Sequence, residues 1–455
     1  MKNPAFRTVM AIIAMTAFSI LSSAQDQLSG TWHGILSIPG AELTIVFHID
    51  RNGCSIDSPD QGAYGIPADL KEMTSVKLAV EVPSIGAGFE GNLTFGLLVG
   101  RFRQSGLEFP LSLKRGDIIR NRPQTPSAPF PYTCEEATFT NPDDGAVLSG
   151  TLTVPSEYAS DTPVVLFVSG SGLQNRDEEL FGHKPFLVIA DRLARNGIAS
   201  LRYDDRSAGK STGDASMATT ETFMKDAAAG IDYLRSTGRF GKVGVIGHSE
   251  GGTISFLLAG EGRTDFIISL AGTAVNGVEI LVEQNRKILN GSGLPEPVTD
   301  DYCAALQKVY AYRIVEYLNG KEEDDNPEKT VDMLLDASGI RLPDELSANL
   351  AEVIRTINPW MMKFIMTDPG EWIRKIECPV MAINGEKDVQ VIAGTNLSTL
   401  SELLPDSERH YIKAYPDLNH LFQHCSSGMP DEYGKIEETI SEEVLSDITN
   451  WIRTL

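Results

Sequence analysis

A serine set between two glycines is the first place in this sequence where residue type and spacing indicate chemistry. The pattern Gly-His-Ser-Glu-Gly at 247–251 follows four apolar-rich residues, 243–246, and leads into a helical segment. This strand–turn–helix order is typical of a nucleophile elbow, in which the serine has strained backbone angles and side chains two residues away would collide. Ser249 in such a turn can attack a carbonyl carbon once a base removes its proton.

The same glycine spacing occurs a second time, at 209–213, with Ser211 in the centre. Ser211 follows the polar loop residues 204–208 and precedes another polar segment, so neither a strand nor a helix would hold it. A nucleophile elbow requires both elements. We therefore predict that Ser249 is the nucleophile and that Ser211 is not.

The base that activates Ser249 must come from the seven histidines of the chain. His420 is best placed, because it lies in a loop just after the last predicted strand. His424 is the second choice. His248 is expected to point away from the site if Ser249 faces it, and is interpreted as a structural residue. A histidine base also needs an acid that fixes its tautomer and stabilises its cation.

Asp388 is the predicted acid, since it follows the strand predicted at 380–383 after a short loop. Glu386 in the same loop is the alternative, and a solvated loop charge is the preferred interpretation for it. The oxyanion of a tetrahedral intermediate also needs two fixed donors. We predict the backbone N–H groups of Glu250, which follows the nucleophile, and of Ser171, in the glycine-containing loop after an early strand.

The elements that would position these residues form a regular alternation. Continuous apolar strands alternate with helical segments after residue 147, which indicates a parallel sheet covered on both faces. A charge-rich, mostly helical stretch at 273–375 interrupts the alternation and is predicted to be a cap over the strand ends. The hydrolytic domain would then comprise residues 134–272 and 376–455.

Two further segments near the predicted site have structural interpretations. Asp204, Asp205 and Arg206 are expected to form an ion pair that braces the active-site loops. The apolar helix predicted from Trp360 to Met366 is expected to be buried cap core, and such a cap favours an apolar substrate pocket.

The first part of the chain has a different pattern. Alternating apolar residues with Gly-, Pro- and Asn-rich breaks predict a small antiparallel β domain at 25–120. No cluster of catalytic residue types accompanies it. A proline-rich stretch at 121–133 is predicted to be an extended linker. Residues 1–24 combine an early positive charge, a short apolar run and small residues, which predicts a signal peptide and a secreted or periplasmic protein.

These segments together resemble an α/β-hydrolase of the bacterial carboxylesterase kind. The resemblance rests on "SGSGLQNRDE", "RYDDRSAGKS", "VIGHSEGG", "NGEKDVQV" and "DLNHLFQ". The chain order Ser249, Asp388, His420 is that of this fold. Two loops depart from the usual pattern, with Ser169 where histidine is common and Ser207 where glycine is common. The resemblance implies ester hydrolysis through these three residues.

The net charge and the cysteine content indicate which partners and cofactors to expect. The formal net charge of the 455-residue chain is −23, which disfavours nucleic acid. Its five cysteines form no C-x-x-C pair, so a structural zinc site has little support, and we expect no metal or organic cofactor. The expected partner is a small-molecule ester, and no stable membrane span is expected after removal of the signal peptide.

The predicted function is that of a serine carboxylesterase acting through an acyl-enzyme. A serine peptidase or amidase, or an acyltransferase, would use the same triad on the same fold. A non-catalytic binding protein that keeps the hydrolase shell is the alternative from another class.

Overall fold

The chain divides into two compact units, 1–121 and 122–455. The computed structural model describes residues 28–38, 41–50, 53–59, 63–104, 106–116 and 120–455. The predicted signal peptide at 1–24 lies outside the described residues.

The first unit is a closed antiparallel β barrel, which confirms the predicted β domain and adds its closure. Its strands follow one another in order around the barrel, and β1 meets β8 through the pairs Trp32–Arg115 and His33–Lys114. Apolar side chains of alternate positions fill the interior, as period-two patterning requires. The strands are Gly30–Ile38 (β1), Ala41–Ile49 (β2), Cys54–Ser58 (β3), Ala63–Met73 (β4), Lys77–Val82 (β5), Ala87–Thr94 (β6), Leu97–Gln104 (β7) and Leu107–Arg115 (β8).

The second unit is built on an eight-stranded sheet of order β16-β15-β14-β13-β11-β12-β10-β9. The six strands from β11 to β16 are parallel to one another. Strand β10 pairs antiparallel with β9 and β12. The strands are Tyr132–Thr140 (β9), Val147–Pro155 (β10), Val164–Val168 (β11), Ala199–Tyr203 (β12), Val243–His248 (β13), Phe266–Leu270 (β14), Val380–Gly385 (β15) and Tyr411–Tyr415 (β16).

Helices cover both faces of this sheet. Strand β11 shows why its strands are apolar throughout, because Val164 and Leu166 pack in one core while Val165 and Phe167 pack in the other. The helices of the second unit are Pro185–Ala194 (α1), Thr220–Ser236 (α2), Glu250–Gly260 (α3), Gly277–Gly291 (α4), Glu296–Leu318 (α5), Pro327–Ser338 (α6), Asp344–Thr356 (α7), Pro359–Met366 (α8), Gly370–Ile373 (α9), Ala393–Leu403 (α10), Pro430–Tyr433 (α11) and Glu442–Ile452 (α12). Within the ranges that the structure describes, no helix is long and apolar enough to cross a bilayer.

Helices α4 to α8 lie between β14 and β15 and form the predicted helical insertion. They share an apolar core of their own, with Tyr302, Leu306, Val309 and Leu350 at its centre. The fold class predicted from the sequence, a sheet of the α/β-hydrolase type with a helical cap after a small β domain, is confirmed.

Two segments of the second unit are held by side chains from distant positions. The sequence after residue 436 predicts a closing helix that begins at Ile436, but helix α12 begins at Glu442, and residues 436–441 are irregular because their polar groups bond elsewhere. The side-chain amide of Gln124, for example, bonds the backbone of Thr439 and Ile440. The proline-rich stretch is likewise not a free linker, since Arg122 donates to the carbonyl oxygens of Phe181, Gly434 and Ile436 at 2.8–2.9 Å.

Candidate active site

Ser249 occupies a strained turn between β13 and α3, with φ 53° and ψ −116°. A Cβ atom on Gly247 would lie 1.9 Å from the carbonyl oxygen of Gly251, and one on Gly251 would lie 2.1 Å from that of Val168. Neither position accepts a side chain, because real Cβ atoms do not approach backbone oxygens so closely. The glycine spacing in the sequence therefore reflects the close packing around a strained strand–turn–helix elbow at this serine.

Ser211 has a different local environment. Its hydroxyl donates to the carbonyl oxygen of Asp204 at 2.6 Å and accepts from the N–H of Ser149 at 2.9 Å. The first bond lies within the loop, and the second fastens the loop to strand β10. The structure thus gives Ser211 a loop-fastening role.

Two of the predicted site residues meet in a buried hydrogen bond. His420, in the loop after β16, lies with Nδ1 2.7 Å from Oδ2 of Asp388, in the loop after β15. The other carboxylate oxygen of Asp388 accepts from the N–H groups of Gln390 and Val391 at 2.8 and 2.9 Å. Both side chains are at most 5% exposed. A carboxylate held in this way keeps the proton of the imidazole on Nδ1, which leaves Nε2 as the basic nitrogen.

The alternatives for base and acid lie elsewhere. His424 is exposed and bonds Glu438 at 2.8 Å through Nδ1. Glu386 is an exposed loop residue. The structure therefore pairs Asp388 with His420 and leaves both rivals at the surface.

His248 differs from its expected placement. We expected it to point away from the site, but its ring contacts that of His420, with ring centroids 4.7 Å apart. Its Nε2 lies 3.1 Å from the carbonyl oxygen of His420, and its Nδ1 lies 3.0 Å from Oε1 of Glu178. The expectation was wrong because it considered only the elbow and not the loop of His420 that packs on it. This contact also brings His420 beside the turn of Ser249.

The predicted oxyanion segment passes directly over the nucleophile. A Cβ atom on Gly170 would lie 3.2 Å from Cβ of Ser249. The side chain of the next residue, Ser171, lies close enough to the Glu250 carboxylate to lower its pKa. Glu250 is the first residue of α3, where backbone N–H groups have no partner within the helix. Both predicted donors thus lie next to Ser249.

The Glu250 carboxylate forms a contact with the cap that the sequence did not reveal. Its Oε1 accepts from the Thr220 hydroxyl at 2.6 Å, and the Trp360 indole N–H lies 2.9 and 3.1 Å from its two oxygens. Burial raises the pKa of Glu250, and these donors oppose the rise. Trp360 was predicted to be buried cap core, but its polar nitrogen connects α8 to the elbow. The available signal was a tryptophan in an otherwise apolar helix, because a buried indole N–H needs an acceptor.

The charged loop 204–206 forms structural ion pairs with residues of other segments, as predicted. Arg206 donates from Nε and Nη2 to both oxygens of Asp226 at 2.8 and 2.7 Å, and both residues are buried. Asp204 pairs instead with Arg176, whose Nη2 lies 2.8 Å from its Oδ2. The predicted structural ion pairing is confirmed, and each partner comes from a distant segment that the sequence pattern does not identify.

Removal of Asp226 is expected to destabilise the second unit strongly. In Asp226→Ala, the guanidinium of Arg206 stays buried without its bidentate partner and keeps only the more exposed Asp144, so the free energy of unfolding should fall by about 3 kcal/mol. Asp232 offers a matched control on the same helix, because it is exposed and pairs with Arg263 at the surface. Asp232→Ala should cost less than about 1 kcal/mol in urea denaturation. Equal losses in the two variants would contradict a buried brace.

Asp205 is also buried, but it accepts hydrogen bonds from neutral donors. It accepts from the Ser169 hydroxyl at 2.8 Å and from the Gln174 N–H at 2.9 Å. In the part of the chain that the structure describes, no ion pair includes it. Burial raises its pKa to about 7, and the nearby charges of Glu178 and Glu250 act in the same direction.

The raised pKa of Asp205 predicts that the free energy of unfolding depends on pH. An unfolded aspartate has a pKa of about 3.9, so between pH 4 and 7 the folded state binds more protons than the unfolded state. The free energy of unfolding should therefore fall as the pH rises through that window, by about 2–4 kcal/mol. Asp205→Asn should remove most of this slope in urea denaturation at pH 4.5, 6 and 7.5. Parallel pH profiles for the variant and the wild type would rule out Asp205 as the source.

The parallel sheet, the elbow after β13, the acid and histidine after β15 and β16, and the inserted helices define the second unit as an α/β-hydrolase in fold. Residues 184–288, which include Ser249, match a family described as serine aminopeptidase, S33.

A curated relative is the esterase EstD of Thermotoga maritima, which is 25% identical over 306 residues. That match covers 67% of this chain and 65% of the relative, slightly less than two thirds of its length.

Solved structures similar to this chain include two esterases. One is an esterase of Pyrococcus furiosus, with a TM-score of 0.42, 15% identity and coverage of 74% of this chain and 99% of the other. Another is Est1E of Butyrivibrio proteoclasticus, solved with ferulic acid bound, with a TM-score of 0.41, 18% identity and coverage of 70% and 98%.

Proposed function

We propose that this protein is a serine carboxylesterase that hydrolyses carboxylic esters through an acyl-enzyme on Ser249. The observation that carries the proposal is the buried His420–Asp388 pair beside a serine held at φ 53° in a glycine-flanked turn. A backbone this strained persists only where its surroundings impose it, and such strain clusters at functional sites. The similarity to a curated esterase supports the same activity.

In the proposed reaction, the Ser249 hydroxyl oxygen attacks the acyl carbon of the ester while Nε2 of His420 takes its proton. Asp388 holds the Nδ1 proton and stabilises the imidazolium that forms. Collapse of the tetrahedral intermediate breaks the bond to the alcohol oxygen, and His420 returns the proton to that oxygen. Water then attacks the acyl-enzyme, with His420 again as the base, and releases the acid.

We assign the negative oxygen of each tetrahedral intermediate to the backbone N–H groups of Glu250 and Ser171. Support comes from the position of both residues beside Ser249. Gly170 is not assigned, because its N–H already donates to Oε1 of Glu178 at 2.7 Å. Loss of one such donor typically lowers kcat by about 10²- to 10³-fold.

The proposed substrate is a small-molecule ester with an apolar acyl group. Its support is the apolar character of α8, of which Met362 and Ile365 are buried while Trp360 reaches the elbow. A serine peptidase or amidase is the second candidate, because the matched family is described as a serine aminopeptidase. The two activities would share the triad and differ only in the pocket.

Matched substrates distinguish these functions. Rates are measured for p-nitrophenyl esters and p-nitroanilides of the same acetyl, butyryl and octanoyl groups. A carboxylesterase should hydrolyse each ester much faster than its anilide and prefer one of the longer acyl groups. Anilides cleaved as fast as esters would favour the amidase. Addition of an acceptor alcohol detects an acyltransferase, which would divert product from the free acid to a new ester.

We also propose that the protein is secreted or periplasmic, on the residues at 1–24. The test is the mass of the protein recovered from the periplasm or medium after expression in a bacterial host. A mature chain starting near Gln25 is expected. Full-length protein retained in the cytoplasm would contradict the proposal.

A further inference from the structure

His248 and Glu178 form a buried pair at the site that takes no part in the proposed reaction. Their side chains are 8% and 2% exposed. Glu178 lies eight residues beyond Gly170, at φ 50°, a left-handed conformation that is uncommon for a residue with a side chain. His248 is the last residue of β13 and directly precedes Ser249.

Both ring nitrogens of His248 face hydrogen-bond acceptors. Nδ1 lies 3.0 Å from a carboxylate oxygen of Glu178, and Nε2 lies 3.1 Å from the carbonyl oxygen of His420. A neutral imidazole has a single N–H and could donate to only one of them. The geometry is satisfied by an imidazolium that donates to both acceptors and a carboxylate that accepts.

The surrounding charges favour that state. Burial alone would lower the pKa of His248, but the charge and hydrogen bond of Glu178 outweigh it, so the pKa is raised. Asp388, which faces the site from the loop after β15, acts in the same direction. His420 is the remaining titratable group against the ring, from the loop after β16.

The His248–Glu178 pair also connects the segments that the proposed reaction requires to be aligned. Oε1 of Glu178 accepts from the Gly170 N–H at 2.7 Å, which holds the segment that passes over Ser249. The same oxygen accepts from His248, which in turn holds the backbone of the His420 loop. A short chain of hydrogen bonds thus joins the oxyanion segment, the elbow and the loop of the base.

We propose that His248, protonated and held by Glu178, is a positioning residue that fixes the His420 loop against the oxyanion segment. The inference rests on the proposed function, in which His420 is the base. The ring of His248 packs against that of His420, with ring centroids 4.7 Å apart, so one residue holds both the backbone and the ring of the base.

Two substitutions each keep one of the two contacts and remove the other. His248→Gln can still donate to the His420 carbonyl oxygen, and His248→Asn can still donate to Glu178. In both, kcat should fall by about tenfold with KM little changed, because one of the hydrogen bonds that align the base with Ser249 is lost. The rate of labelling by a fluorophosphonate should fall by the same factor. His424→Gln, at an exposed histidine outside the network, should leave both rates unchanged.

A direct readout does not depend on turnover. In wild-type protein labelled with ¹⁵N-histidine, both ring nitrogens of His248 should be protonated at pH 7.5, and their signals should be absent from either variant. One unprotonated nitrogen, or a wild-type kcat in both variants, would overturn the inference. Failure of the wild type to react with the fluorophosphonate would instead refute the proposed function, while the protonation state of His248 would still be measured.

Discussion

Replacing Ser249 with alanine is expected to lower kcat for a short p-nitrophenyl ester by about 10⁴- to 10⁶-fold. The substitution removes the oxygen that would form the acyl-enzyme and keeps the Cβ atom, so the turn at φ 53° and its glycine contacts remain. The residual rate would come from the oxyanion donors and from substrate binding alone. Initial rates with purified protein at saturating substrate measure the loss.

Ser211→Ala is the matched control for this prediction. It removes a hydroxyl from the same glycine spacing, but one that bonds the loop at Asp204 and the strand at Ser149. The variant should lose about 1 kcal/mol in free energy of unfolding and keep most of its kcat. Wild-type turnover in Ser249→Ala, or loss of turnover in Ser211→Ala, would contradict the assignment of Ser249 as the nucleophile.

The second large decrease in kcat is expected when Asp388 is replaced. In Asp388→Asn the side-chain amide donates to Nδ1 of His420, which moves the imidazole proton to Nε2 and leaves no base toward Ser249. A decrease in kcat of about 10⁴-fold at neutral pH is expected, as for the same change in other triads. The remaining carbonyl oxygen can still accept from the N–H groups of Gln390 and Val391, so the loop should keep its shape.

Glu386→Gln provides the comparison for Asp388, because it removes the rival carboxylate from the same loop at an exposed position. Its kcat and its pH profile should match those of the wild type. If Glu386→Gln lowered kcat as much as Asp388→Asn, the acid would have been assigned to the wrong residue.

A site residue could be predicted from the sequence when its contacts are close to it in the chain. The glycines around Ser249 could be recognised because the collisions that require them occur within one turn or with the adjacent strand. The order of Asp388 and His420 was readable because both follow strands of one sheet, whose carboxyl ends meet at one edge. Glu178, His248 and Trp360 were not recognised, because each acquires its role from a partner between 70 and 172 positions away.

The same distinction applies to the fold. Alternation of apolar residues predicted the strands of the first unit, because burial of one face is a local pattern. Closure into a barrel depends on the pairing of Trp32 with Arg115, between segments at opposite ends of the unit. The closing helix was placed too early, since the distant partner Gln124 binds the backbone of residues 439–440.

Covalent labelling tests directly whether Ser249 is the nucleophile of a serine hydrolase. Wild-type protein is treated with a fluorophosphonate and analysed by intact mass and by peptide mapping, with Ser249→Ala in parallel. One adduct per chain is expected, on the peptide containing Ser249, and none on the variant. An adduct on another serine, or an unlabelled wild-type protein that is folded, would contradict this assignment.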